Sequence, residues 1–560
     1  MSPLPPELDA DLRTLSSRKD AWAALDVRER IPLLDRVVSD LLRVSDRWVA
    51  ASLRAKSLDP DSPVAGEEWF NLAILFRQLR MFRRSLSEIA SLGRPLVPGP
   101  VSCLPDGSLV LRLFPRSPLD RALYPGITGE AWMEPGVSLE DLPDLQARAY
   151  SDKSPTGRLA LVLGAGNQPS PLLADLLQKL LVENSVVLLK MNPTNDYLAP
   201  LIEEAFRALI DPGFLRVALG DASVGESFVR HPASDSVHVT GSVRTYESIL
   251  FGSGPEGEMR KIRRQPILDK PLTAELGNLT PFIILPGNWS SRDLARAAEH
   301  LAGALTQNVG FNCLTPRVIL TSARWPLRKN LLDALRSVLS RVPTRVAYYP
   351  GAPDRHSAFL AAHPEAELFG DSSDGRLPWT LIPGVPPDNP SDICFTTEPF
   401  CSLFSETPID APDDVAFLDR ACRFANENLW GTLSATLIAH PRSLRDPALA
   451  DAVEHALADL RYGTVGLNVW GGLSYTFALA PTGAYPPGDS PVQSGVGFVN
   501  NPFMIERVRK SVFRGPFRQP VKPSALMKNF HRLARRLALL EARPSPLSFV
   551  RLLLSAARSF

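Results

Sequence analysis

From residue 157 onward the chain alternates short, almost wholly apolar runs with amphipathic stretches. Leu159-Ala160-Leu161-Val162-Leu163 and Val186-Val187-Leu188-Leu189-Lys190 are too apolar for strands with a solvated face. Such runs belong in a parallel sheet covered by helices on both sides. The pattern predicts strands over 159–163, 186–190, 214–219 and 236–240. It predicts helices over 170–182, 198–209, 224–230 and 244–251. A sheet wound in this way binds nucleotides at the carboxyl ends of its strands.

A second alternating block starts near Pro281, with strands expected over 282–285 and 317–321 and helices over 292–305 and 326–339, and suggests a second α/β domain beginning close to Leu272. Ahead of both blocks, Leu33, Leu34, Val37, Val38, Leu41 and Leu42 recur at helical spacing. A second helical pattern over 69–92 is stopped by Pro95, Pro98 and Pro100. Residues 108–114 alternate like a strand, and 115–143 read as loop. In the last segment, 517–560, Phe530, Leu533, Leu537 and Leu540 share one helical face. Nine Lys and Arg residues there stand against one acid, Glu541. The expected arrangement is a helix docked on the body with its basic face in water. Weak contact with an anionic membrane surface and a partner-protein helix are the alternatives.

The formal net charge is +1, so no overall field favours nucleic acid. The five cysteines, Cys103, Cys313, Cys394, Cys401 and Cys422, are few and never paired as CxxC. Neither a disulfide framework nor a metal site is expected, and a reducing cytoplasm fits best. Residues 1–14 lack a basic start followed by an apolar run, which argues against a secretory signal. No apolar stretch reaches the roughly 20 residues of a membrane span.

Two segments carry chemistry. In Gly310-Phe311-Asn312-Cys313 the cysteine falls between an expected helix and an expected strand, where a thiolate could attack a carbonyl carbon. In Thr273-Ala274-Glu275-Leu276-Gly277-Asn278 the carboxylate lies in an apolar context at a domain junction. Burial there would raise its pKa toward that of a general base. Taken singly, each has an ordinary alternative, a packed thiol and a capping or ion-paired glutamate.

Together the two segments resemble the general-base motif E-L-G-G and the nucleophile motif G-Q-x-C of the aldehyde dehydrogenase superfamily. Further matches follow in the family's order: Gly164-Ala165-Gly166-Asn167, the strand ending in Lys190, Val239-Thr240-Gly241-Ser242, Glu398-Pro399-Phe400 and Ser494-Gly495-Val496-Gly497. The resemblance covers roughly residues 21–516 and implies an α/β, aldehyde-dehydrogenase-like fold. A Rossmann-type dinucleotide-binding domain would comprise 1–128 and 159–271, with 471–504 returning to it. A catalytic domain would span 272–470. A small β oligomerisation element would comprise 129–158 and 505–516. Residues 517–560 would be an extension. The alternation in 508–514 fits an edge strand that pairs with another subunit, so a homodimer or homotetramer is implied.

By the same resemblance Cys313 is the nucleophile, and Asn167 with the Cys313 N–H forms an oxyanion hole. Glu275 activates the water that releases the acid. Lys190, Gly241, Ser242, Glu398 and Phe400 hold NAD or NADP. The implied reaction is oxidation of an aldehyde to a carboxylic acid through a thiohemiacetal and a thioester. Transfer of the acyl group to coenzyme A is the alternative, and a catalytically silent scaffold is the second. The chain departs from the family where Tyr246 replaces the last Gly of G-S-x-x-x-G, and where Asn278 and Cys401 replace glycines. Pro193 stands where NAD-preferring members often carry a glutamate, which leaves NADP open. The substrate entrance is expected between 115–143 and 471–491.

Overall fold

The computed structural model describes residues 5–518 and 522–556. Two sheets organise the chain. The first has six strands in the order Gly495–Val496, Leu272–Glu275, Ser236–Thr240, Leu159–Leu163, Val186–Lys190, Leu215–Ala218. All neighbours are parallel except the short first strand, which runs antiparallel to Leu272–Glu275. Leu159–Leu163 sits centrally, and the chain winds outward from it in both directions. That creates a topological switch point at the carboxyl ends of Leu159–Leu163 and Ser236–Thr240. Leu159, Leu161, Val162 and Val186 through Leu189 are wholly buried, as their two-sided apolar pattern demands.

The second sheet has eleven strands and carries Thr280–Ile284 and Pro316–Ser322 side by side at its middle. The second α/β unit therefore starts at Thr280 and not near Leu272, because Leu272–Glu275 completes the first sheet. Residues 276–279 form the crossover between the two sheets, and Glu275 lies at its edge.

Two further expectations are corrected. Val508–Arg514 is not an edge strand. It pairs antiparallel with Thr128–Met133 on one side and parallel with Thr464–Leu467 on the other. Its alternating pattern reflects a strand near the rim of a long sheet, and its hydrogen bonds are satisfied within this chain. Nor is 115–143 simply loop, since it holds the helix Pro118–Leu123 and the strand Thr128–Met133. Proline at the first helical position and glycine at Gly126 and Gly136 mask those short elements in the sequence.

The helices Val27–Ala55 and Gly66–Leu92 form a layer against the first sheet. The extension lies on that layer. Its helix Phe530–Ala542 buries Ala534, Ala538, Leu540 and Glu541 against it, a face shifted from the one expected. The apolar side of the basic helix is thus already covered. The exposed apolar side chains of the extension are Leu547, Val550, Leu553 and Leu554, on the following helix Pro546–Ala556. No helix among the described residues is long and apolar enough to cross a membrane.

Candidate active site

Cys313 stands on the turn that joins the helix Ser291–Thr306 to the strand Pro316–Ser322. This turn is bent tightly: Asn308, Val309 and Gly310 all have positive φ, at 51°, 59° and 75°. For a β-branched residue such as Val309 that conformation costs about 1–3 kcal/mol, so the surroundings must enforce it. Asn308 is held on every side. Its N–H donates to Glu67 Oε2 (3.0 Å), its Oδ1 accepts from Lys56 Nζ (3.2 Å) and Tyr348 (3.0 Å), and its Nδ2 donates to Phe311 O (3.1 Å). At Gly310 a Cβ would meet the Cys401 carbonyl oxygen at 2.3 Å, so only glycine fits. Arg317 clamps the same turn by donating to the carbonyls of Gly310 and Cys401.

The sulfur this turn presents lies 3.5 Å from Glu275 Oε1 and donates to it. The other carboxylate oxygen, Oε2, accepts from the hydroxyl of Tyr475. Burial raises the Glu275 pKa to about 7, helped by the nearby Asp175 carboxylate and opposed by Tyr475 and Cys313. Burial also raises the Cys313 thiol well above its ordinary range, with Glu275 and Glu398 adding to the effect. The protein by itself therefore keeps the thiol protonated, against a base that is half ionised near neutrality.

Cys313, Asn167 and Tyr475 line one cavity of about 260 Å³. The Asn167 Nδ2 already donates one hydrogen to Phe311 O at 2.8 Å, which fixes the amide near the Cys313 turn. An amide nitrogen has a second hydrogen to offer. The cavity takes residues from the 470–476 turn, as expected, but none from 115–143. Its other walls are the helix Gly66–Leu92 and the extension. Strand Thr128–Met133 and its neighbours lie in the long sheet instead, which removes that segment from the entrance.

A second cavity, of about 780 Å³, opens at the switch point of the six-stranded sheet. Lys190, Gly241, Ser242 and Pro193 all line it. Lys190 ends the strand Val186–Lys190, and burial lowers its pKa. Ser242 caps the helix Val243–Phe251, its Oγ accepting from Thr245 N. Free N–H groups at such a helix start suit a phosphate. Tyr246 turns away from this cavity and packs with Val239, Ala274 and Leu276, so the departure from the glycine pattern does not obstruct it.

Glu398 and Phe400 do not line the second cavity. The Phe400 ring lies 4.9 Å from Tyr349, which does line it, and 6.0 Å from Phe311, two residues before Cys313. Glu398 has its pKa raised to about 7 by burial, with Arg317 opposing. Its Oε1 is buried without a hydrogen-bond partner. The other thiols weighed beside Cys313 pack in the core: Cys394 and Cys401 are buried. His363, Asp392 and Cys394 bring donor atoms within 4.8 Å of one another, with Asp392 capping the helix Ile393–Thr396.

Sequence reasoning missed Tyr475 and the polar cluster behind Glu275. Cross-strand register sets Thr240 opposite Glu275 and His238 opposite Thr273. His238 pairs with Asp175 at 3.2 Å and with Thr273 at 2.8 Å, while Thr240 donates to the other oxygen of Asp175. The only sequence signal for this cluster is its interruption of otherwise apolar strands and of the helix Pro169–Leu177.

Comparison with known proteins bears on the fold. Residues 133–343 match the model of the aldehyde dehydrogenase family. A Fusarium protein, aldehyde dehydrogenase LUC3, is 28% identical over 137 residues, 24% of this chain and 26% of its own length. The chain thus spans about a quarter of that relative. Among solved structures, aldehyde dehydrogenase C from Pseudomonas syringae, in complex with NAD+ and octanal, superposes with a TM-score of 0.61 at 15% identity. That match covers 91% of this chain and 89% of the other. The NADP-dependent glyceraldehyde-3-phosphate dehydrogenase of Bacillus halodurans, complexed with NADP, gives 0.59 at 17% identity over 90% of each chain. The chain thus shares the fold of solved aldehyde dehydrogenases, and its residues 133–343 match that family's model.

Proposed function

We propose that the protein oxidises an aldehyde to a carboxylic acid with NAD or NADP, through a covalent intermediate on Cys313. The observation that carries this reading is the approach of Cys313 Sγ to the buried Glu275 Oε1 at 3.5 Å, with Cys313 lining a cavity of about 260 Å³. A carboxylate with a pKa of about 7 can take the thiol proton as sulfur attacks the carbonyl carbon. The developing oxyanion would be met by the free Asn167 amide hydrogen and the Cys313 N–H. With a hydride lost to a bound nicotinamide and the first proton released to solvent, the resulting thioester would be cleaved by a water that the same carboxylate, ionised again, deprotonates.

The residues around the second cavity fit a dinucleotide. A Cβ at Gly241 would touch Val239 at 4.0 Å and Ser242 begins a helix, while outside this cavity Glu398 holds an unpartnered carboxylate oxygen suited to a ribose hydroxyl. Lys190 and Ser242 would hold the adenosine half and the pyrophosphate, and Glu398 and Phe400 the nicotinamide half. A bound oxidised nicotinamide supplies the hydride acceptor and a positive charge that favours the thiolate.

The placement of Glu275, fixed by Tyr475, supports hydrolytic release over transfer to coenzyme A. The test is NAD(P)H formation across a panel of aldehydes, with and without coenzyme A. The expected result is activity without coenzyme A that disappears in Cys313→Ala. Equal cofactor reduction by wild type and Cys313→Ala would overturn the mechanism, and strict dependence on coenzyme A would replace hydrolysis by acyl transfer.

A further inference from the structure

We infer that the C-terminal extension forms the far wall of the Cys313 cavity and makes the enzyme selective for aldehydes with an apolar tail. This deepens the aldehyde-oxidising reading and rests on it. The lining of the cavity of about 260 Å³ includes Cys313 and Asn167 with the polar Gln168, Gln307 and Asn312. Phe70 and Ile74 of the helix Gly66–Leu92 and Trp470 and Leu473 of the 470–476 turn form two of its sides. Met527 and Phe530 of the extension form the third. A tail that left water for this enclosure would gain the hydrophobic free energy of each buried methylene. The volume lies just below the range of about 300–1,000 Å³ found for drug-sized ligands, so the fit is to a short chain or a single ring.

The wall is anchored and not merely adjacent. At Gly66 a Cβ would strike the Phe530 ring at 2.5 Å and the His531 nitrogen at 2.8 Å, so the extension seats directly on the start of the helix Gly66–Leu92. The Ser524 hydroxyl donates to Glu67 Oε1, and Glu67 Oε2 accepts from the Asn308 N–H of the nucleophile turn. One buried carboxylate therefore ties the wall to the backbone that aims Cys313. At the other end of the helix Phe530–Ala542, the buried Glu541 is paired with Arg77 and Arg80. Arg77 also donates to the Phe477 carbonyl, two residues beyond Tyr475. Lys522 and Ser524 are the polar residues of this wall, and Ser524 is engaged with Glu67.

The test uses the full-length protein and straight-chain aldehydes of increasing length. In wild type, kcat/KM is expected to climb with each methylene and to break at the length that reaches Phe530. Phe530→Ala should move the break to longer aldehydes and raise kcat/KM for the first over-long homologue by about tenfold or more, while short aldehydes change far less. Met527→Trp should move the break the other way, which guards against a simple folding defect. An identical length profile in all three proteins would overturn the proposal. So would a preference for ω-carboxy aldehydes that vanishes in Lys522→Ala. A second readout does not depend on turnover: alkylation of Cys313 by N-alkylmaleimides of increasing length, in a Cys103→Ser background because Cys103 is exposed. If wild type oxidises no aldehyde, the function reading fails. A maleimide length preference that shifts in Phe530→Ala would still support the wall, and one that does not shift would overturn it.

Discussion

Tyr475 donates a hydrogen bond to the same carboxylate, Glu275, that accepts from the Cys313 thiol. The tyrosine holds one oxygen while the Cys313 thiol meets the other, so the orientation of the carboxylate is fixed by the fold. A hydrogen bond to the ionised form favours it, and Tyr475 accordingly works against the burial that raises the Glu275 pKa. Tyr475→Phe is expected to move the lower limb of the pH–rate profile toward alkaline pH by about one unit, the scale of one charge-assisted hydrogen bond. Activity should recover at high pH. A uniform loss at every pH would mean that the hydroxyl does something other than tune and position the base.

Glu275→Gln separates chemistry from stability. Without a base both thiol attack and thioester hydrolysis should slow, so NAD(P)H should accumulate slowly and stop at no more than about one equivalent per active site. The stability effect has the opposite direction. In the fold Glu275 binds its proton with a pKa of about 7, against 4.5 for an unperturbed glutamate. Its contribution is fully present below pH 4.5 and is lost as pH rises through 7. At pH 8 the ionised buried carboxylate costs on the order of 3 kcal/mol, so the uncharged glutamine should unfold at higher temperature than wild type there. Thermal unfolding at pH 5 and 8 checks this, because the gain should shrink at the lower pH.

Glu541→Ala removes the acid from a buried cluster and leaves Arg77 with Asp120 as its remaining carboxylate. Breaking a buried pair from one side costs about 3–5 kcal/mol. A lowered melting temperature and loosened protection of the helix Phe530–Ala542 in hydrogen exchange are expected. Glu541→Gln should be milder. No change in either measurement would show that the extension is held by its apolar contacts alone.

For the cofactor, Lys190→Ala should raise KM for NAD(P) by about ten- to hundredfold, the worth of one lost hydrogen bond from a charged donor, with a smaller effect on kcat. Pro193 lines the same cavity. Pro193→Glu places a carboxylate where a 2′-phosphate would lie, and should disfavour NADP relative to NAD by about tenfold or more. An unchanged ratio of the two KM values would mean that the adenosine ribose sits elsewhere.

The strand Leu159–Leu163, the strand Val186–Lys190 and the nucleophile motif at Cys313 were legible because each is local. Apolar periodicity reports two-sided burial, whereas the need for glycine at Gly310 comes from the Cys401 carbonyl that a Cβ would meet at 2.3 Å. Glu275 was legible through its motif, but its pKa of about 7 was only an expectation until its burial and its Asp175, Tyr475 and Cys313 neighbours were known. Tyr475, Asp175 and His238 are ordinary residues in the chain and acquire their roles only where separate elements meet.

The amino-acid order by itself determined the strand–helix alternation and the ordered motifs that single out Cys313 and Glu275 as candidates, because those depend on residue type and short-range spacing. Only the tertiary structure decided which walls enclose Cys313, that Val508–Arg514 is satisfied within its own chain, and that Glu541 is buried against Arg77. Those outcomes depend on contacts between residues hundreds of positions apart. Burial and electrostatic pairing are properties of a place in the fold, and no local pattern of side chains fixes them.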